Sequence, residues 1–312
     1  MGCNVTLRVM NSIESLKLDF NLQQRGLGNI HNEKIFDDCI YVGSGDSYVA
    51  GLIVEYMTDH KCRCYSPSDL FSSRFNDETT YCFISVTGKT TANIKVAQRA
   101  TESGANTVAV TFDKNSKLAQ VCKETVLLQI TRAQTPTAGF SSFVANVITC
   151  LQIAGLVVPQ KFDIWHKKGI QLSLQSLDSI TLPREESVDL LGNNLLYAIA
   201  LYASFQLAEF FGTTAHAHKL EEFCHSPIFG FRKPNQLWIF GQNEVQISEK
   251  LSKLGLRLSY NELYNQDVFA QVFETIFFIQ NLILLLAEKN RYSELQYVKM
   301  KDVLRASSDI IY

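Results

Sequence analysis

This sequence has few of the features that would commit a chain to nucleic acid, a membrane, a metal or secretion. Net charge is −2 over 312 residues, with no long run of Lys or Arg. Phosphate backbones demand clustered cations, so nucleic acid is not expected as the main partner. That balance leaves room for one small phosphorylated ligand. No charged start followed by an apolar stretch marks a secretory signal. The most apolar run, Ile276–Ala287, contains Gln280 and Asn281 and reads as too short to span a bilayer. Metal-ligand spacing is also missing: the eight cysteines are scattered, and Cys62-Arg63-Cys64 is tighter than a zinc pair and has no second pair to complement it. Thiols placed inside apolar runs read as buried and free in a reducing cytosol, so a cytoplasmic protein is expected. Met1–Thr6 fits the loose N-myristoylation pattern, which is short enough to arise by chance. No cofactor is implied.

Hydrophobic residues make up 46% of the chain and charged residues 19%, enough for a substantial core. The length suggests two domains of ordinary size. The organising stretch is Tyr81–Thr91, YCFISVTGKTT. Its apolar start, Tyr81–Ile84, reads as a buried strand, and Ile94, Val96, Ala97 and Ala100 continue at helical spacing. Between them lies a hydroxyl-rich turn around Gly88. A strand, such a turn and a helix N-terminus together make a phosphate-holding design, because the first helical turn has unpaired N–H groups and a partial positive charge. Ser85, Thr87, Thr90 and Thr91 would add hydroxyl donors and Lys89 a cation. The same residues also make an ordinary N-cap.

A similar unit precedes it. Cys39–Val42 reads as a strand entering Gly43-Ser44-Gly45-Asp46-Ser47, and a helix follows through Val49, Ala50, Leu52, Ile53 and Tyr56. It is a weak dinucleotide fingerprint, because Tyr48 stands at the third glycine. Further strands are expected at 61–65, 107–112 and 125–130, with helices at 92–103 and 116–122. This alternation predicts a parallel sheet covered on both faces. Both glycine–hydroxyl turns leave the carboxyl ends of their strands and can converge on one pocket. Thr135–Ser142 is a third hydroxyl-rich loop, opening an apolar helix at 143–157. We therefore expect a lead-in helix over 1–34, a first, phosphate-binding domain over 35–159, a linker containing one helix over 160–186, and a second domain with a C-terminal helix and tail over 187–312.

The second half repeats the theme without a comparable phosphate loop. Strands are expected at 188–191, 213–218, 237–241 and 256–260, with long apolar helices at 195–211 and 269–288. Glu209 stands among Leu207, Ala208, Phe210 and Phe211, company that would raise its pKa and suit a general base near neutrality. A solvated helix end is the other reading. His216 and His218 alternate on a strand and could share a metal; alternatively the segment through His225 is a strand and a loop that presents one imidazole.

These residues resemble a family, the tandem sugar isomerase (SIS) domain proteins, over about residues 35–305. YVGSGDSYVAG (41–51) is similar to the first SIS loop and ISVTGKT (84–90) to the second. VDLLGNNLLYAIALYASFQLAEFFGTTAHAHKLEEFCHSPIF (188–229) resembles the isomerase domain of glucosamine-6-phosphate synthase without a gap. The Glu209 and His225 separation also resembles archaeal phosphoglucose/phosphomannose isomerases. The resemblance implies an α/β fold of two flavodoxin-like three-layer αβα SIS domains, each with a parallel sheet, and a homodimer with a shared active site. It further implies phosphate-binding hydroxyls at Ser47, Ser85, Thr87 and Thr90 beside Gly45. Glu209 falls on the carboxylate that moves a proton between sugar carbons. His225 falls on the ring-opening imidazole, often supplied by a neighbouring subunit, and Glu222 on the glutamate of the family's Glu-Leu-x-His motif. The family's tail lysine has two candidates here, Lys299 and Lys301. Departures are Val86 for Gln, Lys89 for Glu, Ser226 for Gly, Tyr202 for a glutamate, and Gln206 and Ala208 for lysines. Length leaves no room for a glutaminase domain. The implied function is aldose–ketose isomerisation of a phosphorylated hexose; deamination of an amino-hexose phosphate or non-catalytic sensing are the alternatives.

Overall fold

The computed structural model describes residues 11–36, 38–129, 139–180, 182, 187–231, 236–241, 249–251, 253, 257–261 and 266–312. Met1–Thr6, the first half of the Thr135–Ser142 loop (135–138) and Pro183 lie outside them. Short apolar runs between glycine turns form two parallel sheets. The first contains β1 (Cys39–Val42), β2 (Arg63–Tyr65), β3 (Thr80–Ile84), β4 (Asn106–Thr111) and β5 (Glu124–Leu127), in the order β2-β1-β3-β4-β5. The second contains β6 (Ser187–Leu191), β7 (Thr214–His218), β8 (Gln236–Phe240) and β9 (Arg257–Asn261), in the order β7-β6-β8-β9. All pairings are parallel. In each sheet the winding reverses beside its first strand, the flavodoxin-like arrangement, and crevices for ligands open there at the strands' carboxyl ends.

The helices cover these sheets. They are α1 (Ser12–Leu27), α2 (Asp46–Met57), α3 (Thr91–Glu102), α4 (Lys117–Val121), α5 (Phe140–Ile153), α6 (Phe162–Ser176), α7 (Leu195–Phe211), α8 (Leu220–His225), α9 (Val268–Lys289), α10 (Gln296–Lys299) and α11 (Lys301–Ile311). Helix α6, in the segment expected to be a linker, is built into the core. Helix α6 lies along α9, with Trp165 stacked on Phe273 at 5.1 Å between ring centroids and Gly169 against the α9 backbone. The same buried cluster takes in residues of both sheets, and α2 packs on α7 across the halves.

Helix α9 corrects one expectation. The apolar run read as too short belongs to a 22-residue helix, long and apolar enough to cross a membrane. In this fold 67% of its most apolar window is buried inside the protein. Its polar interruptions serve packing: Gln280 Nε2 donates to the Tyr202 hydroxyl at 3.1 Å, and Gln23 Nε2 donates to Gln280 Oε1 at 2.8 Å. A buried amide with partners at both ends fixes how α1, α7 and α9 meet.

The two halves share a loop geometry that their sequences hide. After β1 the chain passes through Gly43 to Gly45, the N-cap of α2, at φ 56° and ψ −132°. After β6 it passes through Gly192 to Asn194, the N-cap of α7, at φ 50° and ψ −123°. A Cβ on Gly43 would lie 2.7 Å from the Ser47 carbonyl carbon, and one on Gly192 would lie 2.5 Å from the Leu196 oxygen. Each glycine therefore lets its strand turn tightly onto the following helix.

Candidate functional site

A cavity of about 460 Å³ opens at the carboxyl ends of β1 and β3. The turn after β1 contributes Ser44, Gly45, Asp46 and Ser47, and the turn after β3 contributes Ser85, Val86, Thr87 and Thr90. Glu209 enters from the end of α7, and Ile310, Ile311 and Tyr312 form a wall from the end of α11. The convergence has a simple origin. Helix α2 packs on α7, so the start of one lies beside the end of the other.

The Thr90 hydroxyl is not spent on capping. Thr90 is the N-cap residue of α3, yet its side chain makes no cap hydrogen bond. Its Oγ1 lies 3.0 Å from Ser85 Oγ, a pair in which either can donate. Gly45 likewise offers α2 no side-chain cap. Two helix N-termini thus approach one cavity without the side-chain caps that usually neutralise them, which favours an anion there. Gly88, at φ 62°, holds the second turn in shape, because a Cβ would fall 2.2 Å from Ser116 Oγ. Ser85 is only 4% exposed, so its hydroxyl is held rather than free to swing. Lys89 is exposed and does not line the cavity.

Glu209 lines the cavity and is exposed to solvent there, with protein crowded around its carboxyl. That enclosure removes water from the charged form and pushes its pKa up to about 7. Asp46, half-buried at the start of α2, is also raised, first by burial and then by the Glu209 charge. Tyr202 lies behind this pair, its hydroxyl raised mainly by burial and further by Asp46 and Glu209. One turn before Glu209, Gln206 is fully buried, and its side-chain amide has no hydrogen-bond partner among the described residues.

The other expected site residues lie elsewhere in this chain. His225 and Glu222 are exposed on α8, and His225 Nε2 stands 3.7 Å from Glu221 Oε1. Lys299 sits in a different cavity of about 470 Å³ with Arg291, Asn290 and Thr213. Its Nζ is 5.2 Å from the centroid of the Tyr292 ring. Lys301 is exposed at the start of α11 and lines neither cavity. Neither tail lysine lines the cavity that holds Glu209, although α10 packs on α7 and the far end of α11 walls that cavity. His218 turns to Asp189, 2.9 Å away, and its ring is 6.3 Å from that of His216. Among the described residues no group of three His, Cys, Asp or Glu could hold a metal ion.

Sequence reasoning missed Asp46 and the three C-terminal residues. Asp46 sat inside a quoted motif, and a carboxylate within a loop read as anion-binding was the available signal. Nothing in the tail's composition announced its return to the first sheet.

No protein-family model matches the chain, and no curated protein matches it. Solved structures do. Glucosamine-6-phosphate deaminase from Thermotoga maritima superposes with a TM-score of 0.70 at 15% identity, covering 90% of this chain and 96% of its own. Tagatose-6-phosphate ketose/aldose isomerase from Escherichia coli gives 0.65 at 15% identity, covering 89% and 90%. The C-terminal domain of glucosamine-fructose-6-phosphate aminotransferase from Francisella tularensis gives 0.64 at 17% identity, covering 89% and 95%. The chain is thus similar to phosphosugar isomerase (SIS) proteins in fold.

Proposed function

We propose that this chain is a sugar-phosphate aldose–ketose isomerase acting on hexose 6-phosphates, with the cavity between β1, β3 and the end of α7 as its active site. One observation carries the reading: Glu209, its pKa pushed up to about 7 by burial, shares a cavity with two helix N-termini that have no side-chain cap and with five serine and threonine side chains. The hydroxyls of Ser47, Ser85, Thr87 and Thr90 and the two helix starts take the phosphate. That binding energy, applied away from the reacting carbons, positions the sugar. Glu209 removes the proton from C2 or C1 and returns it to the neighbouring carbon through a cis-enediol-like intermediate. His225 opens the sugar ring. Because it is exposed on α8 and does not line the Glu209 cavity of its own chain, it acts from a second copy in a homodimer that completes each site. Nucleic acid and membrane play no part in this reading, and the cytoplasm is where such a substrate is met. The division at 35–159 and 187–312 belongs to the same proposal, one SIS domain built on each sheet.

A positioned general base contributes roughly two to four powers of ten in rate, so Glu209→Gln should lose about that much turnover while binding the sugar phosphate as before. Turnover of fructose 6-phosphate is measured in a coupled assay beside ammonia release from glucosamine 6-phosphate, which separates isomerase from deaminase. Full activity in Glu209→Gln, or tight binding with no turnover of any hexose phosphate, would sink the proposal.

A further inference from the structure

An enediol mechanism needs an acid as well as a base. When the proton leaves carbon, the carbonyl oxygen takes up charge, and a group beside it must stabilise or protonate that oxygen. The lysines expected to do so do not line this cavity. Lys299 lies in a separate cavity on the Tyr292 ring and Lys301 is exposed in neither. Among the described residues that line the site no side chain is cationic, and the titratable ones are Asp46, Glu209 and Tyr312.

We propose that Asp46 is a catalytic residue, the general acid that works opposite Glu209 on the sugar oxygens. The assignment rests on the isomerase reading above. It stands on placement: the first residue of α2 and a residue of the last turn of α7 share one cavity because the two helices pack together. Ser47, next in the chain, faces the same cavity, so Asp46 is within the reach of a ligand whose phosphate those hydroxyls hold. The chemistry agrees with the placement. Burial, then the neighbouring Glu209 charge, keep the Asp46 carboxyl protonated above the ordinary carboxylate range. Two carboxyls driven apart in this way divide acid and base roles between them. A neutral acid also avoids setting a second negative charge against a phosphorylated ligand.

The step balances. Glu209 carboxylate takes the C2 proton of the open aldose; that bonding pair forms C1=C2, and the C1=O1 π pair moves to O1, which takes the Asp46 proton. In the second half Asp46 carboxylate takes the proton from the O2 hydroxyl. O2 re-forms its double bond to C2 and the C1=C2 pair takes the proton back from Glu209 at C1. Both carboxyls end as they began, and no outside oxidant or reductant enters. The other ionisable groups around the pair are Tyr202 on α7, Tyr297 on α10, whose hydroxyl is raised by burial and by Glu209, and Tyr312 at the end of α11.

The test uses the full chain with fructose 6-phosphate, reading turnover, ligand affinity and the pH profile of kcat in wild type, Asp46→Asn and Asp46→Glu. The expected result for Asp46→Asn is a kcat lower by about 100-fold or more, on the scale of a lost general acid, with ligand affinity changed by less than about threefold. Its profile should also lose the limb on which wild-type kcat falls as Asp46 ionises at high pH. Asp46→Glu should recover part of kcat and show that limb at a shifted pH. Wild-type kcat in Asp46→Asn, or a loss confined to affinity, overturns the assignment of Asp46 and leaves the isomerase reading standing. Absence of any hexose-phosphate isomerisation by the wild-type chain overturns both. Should Asp46→Asn not fold, Asp46→Glu decides alone, and a pH profile identical to wild type overturns the role.

Discussion

A carboxyl works as a base only on the alkaline side of its own pKa. With Glu209 held near 7 by desolvation, kcat/KM should rise as pH increases through about 7, ahead of the fall at higher pH that ionisation of Asp46 brings. A flat profile between pH 5 and 8, measured with one sugar phosphate, would contradict that. His166 makes a different prediction. It is buried between Phe20 and Phe277, at 4.4 and 5.0 Å between ring centroids, and burial lowers its pKa from 6.5 to about 4. The folded state therefore binds fewer protons than the unfolded state between those values, and stability falls as pH drops through 6.5 toward 4. The full effect is about 3 kcal/mol for a shift of this size. His166→Phe should lose much of the acid-side decline in Tm; a decline equal to wild type would assign it to other groups. Glu209 works in the opposite sense, since its raised pKa makes stability fall as pH rises from 4.5 toward 7, so the comparison is cleanest in a Glu209→Gln background.

At the scale of elements, the proposed phosphate grip belongs to the start of a helix and the turn before it. Thr87→Ala combined with Thr90→Ala removes two hydroxyls from that turn, and hydrogen bonds to charged groups contribute about 1.5–3 kcal/mol each. Affinity for a sugar phosphate should drop by roughly tenfold or more per lost bond, with the fold intact, as read by calorimetry. Unchanged affinity would show that the backbone alone holds the anion. Helix α6 carries the second test. A Cβ on Gly169 would lie 2.7 Å from Phe277 Cβ and 2.8 Å from the Phe278 nitrogen. Alanine usually gains about 1 kcal/mol over glycine in a helix. Overpacking against backbone costs about 1–3 kcal/mol, so here the clash wins. Gly169→Ala should lower Tm, and a higher Tm would mean that α6 and α9 can separate freely. The boundaries of most elements were legible to within a residue or two, because apolar runs, glycine turns and helical spacing are local signals. Helix α7, expected from 195 to about 211, spans Leu195–Phe211. The union of α6 with α9 was not legible, since a polar stretch with a sparse apolar face resembles a linker until its partner is known.

For the whole molecule, the telling feature is that His225 does not line the cavity that holds Glu209. If two copies share each site, mixing inactive Glu209→Gln with inactive His225→Ala should restore activity as subunits exchange, to at most about one site in four at equal mixing, by counting of wild-type pairings. No recovery after verified exchange would place both residues outside a shared site. The candidate site divides along the same line. Ser85, Thr87, Thr90 and Glu209 were legible because each sits in a local pattern with a chemical meaning. Asp46 was passed over because an aspartate in the first turn of a helix usually answers the helix dipole. Only its neighbour across the molecule makes it unusual.

The sequence by itself determined the strands, the helices, the glycine turns and the hydroxyl-rich loop after β3, all of which depend on residues near one another in the chain. Tertiary structure alone decided that α7 ends where α2 begins, that Lys299 stays away and that Tyr312 comes back. Those placements follow from helix packing across a common core, and packing depends on complementary surfaces between segments whose spacing along the chain carries no trace of their meeting.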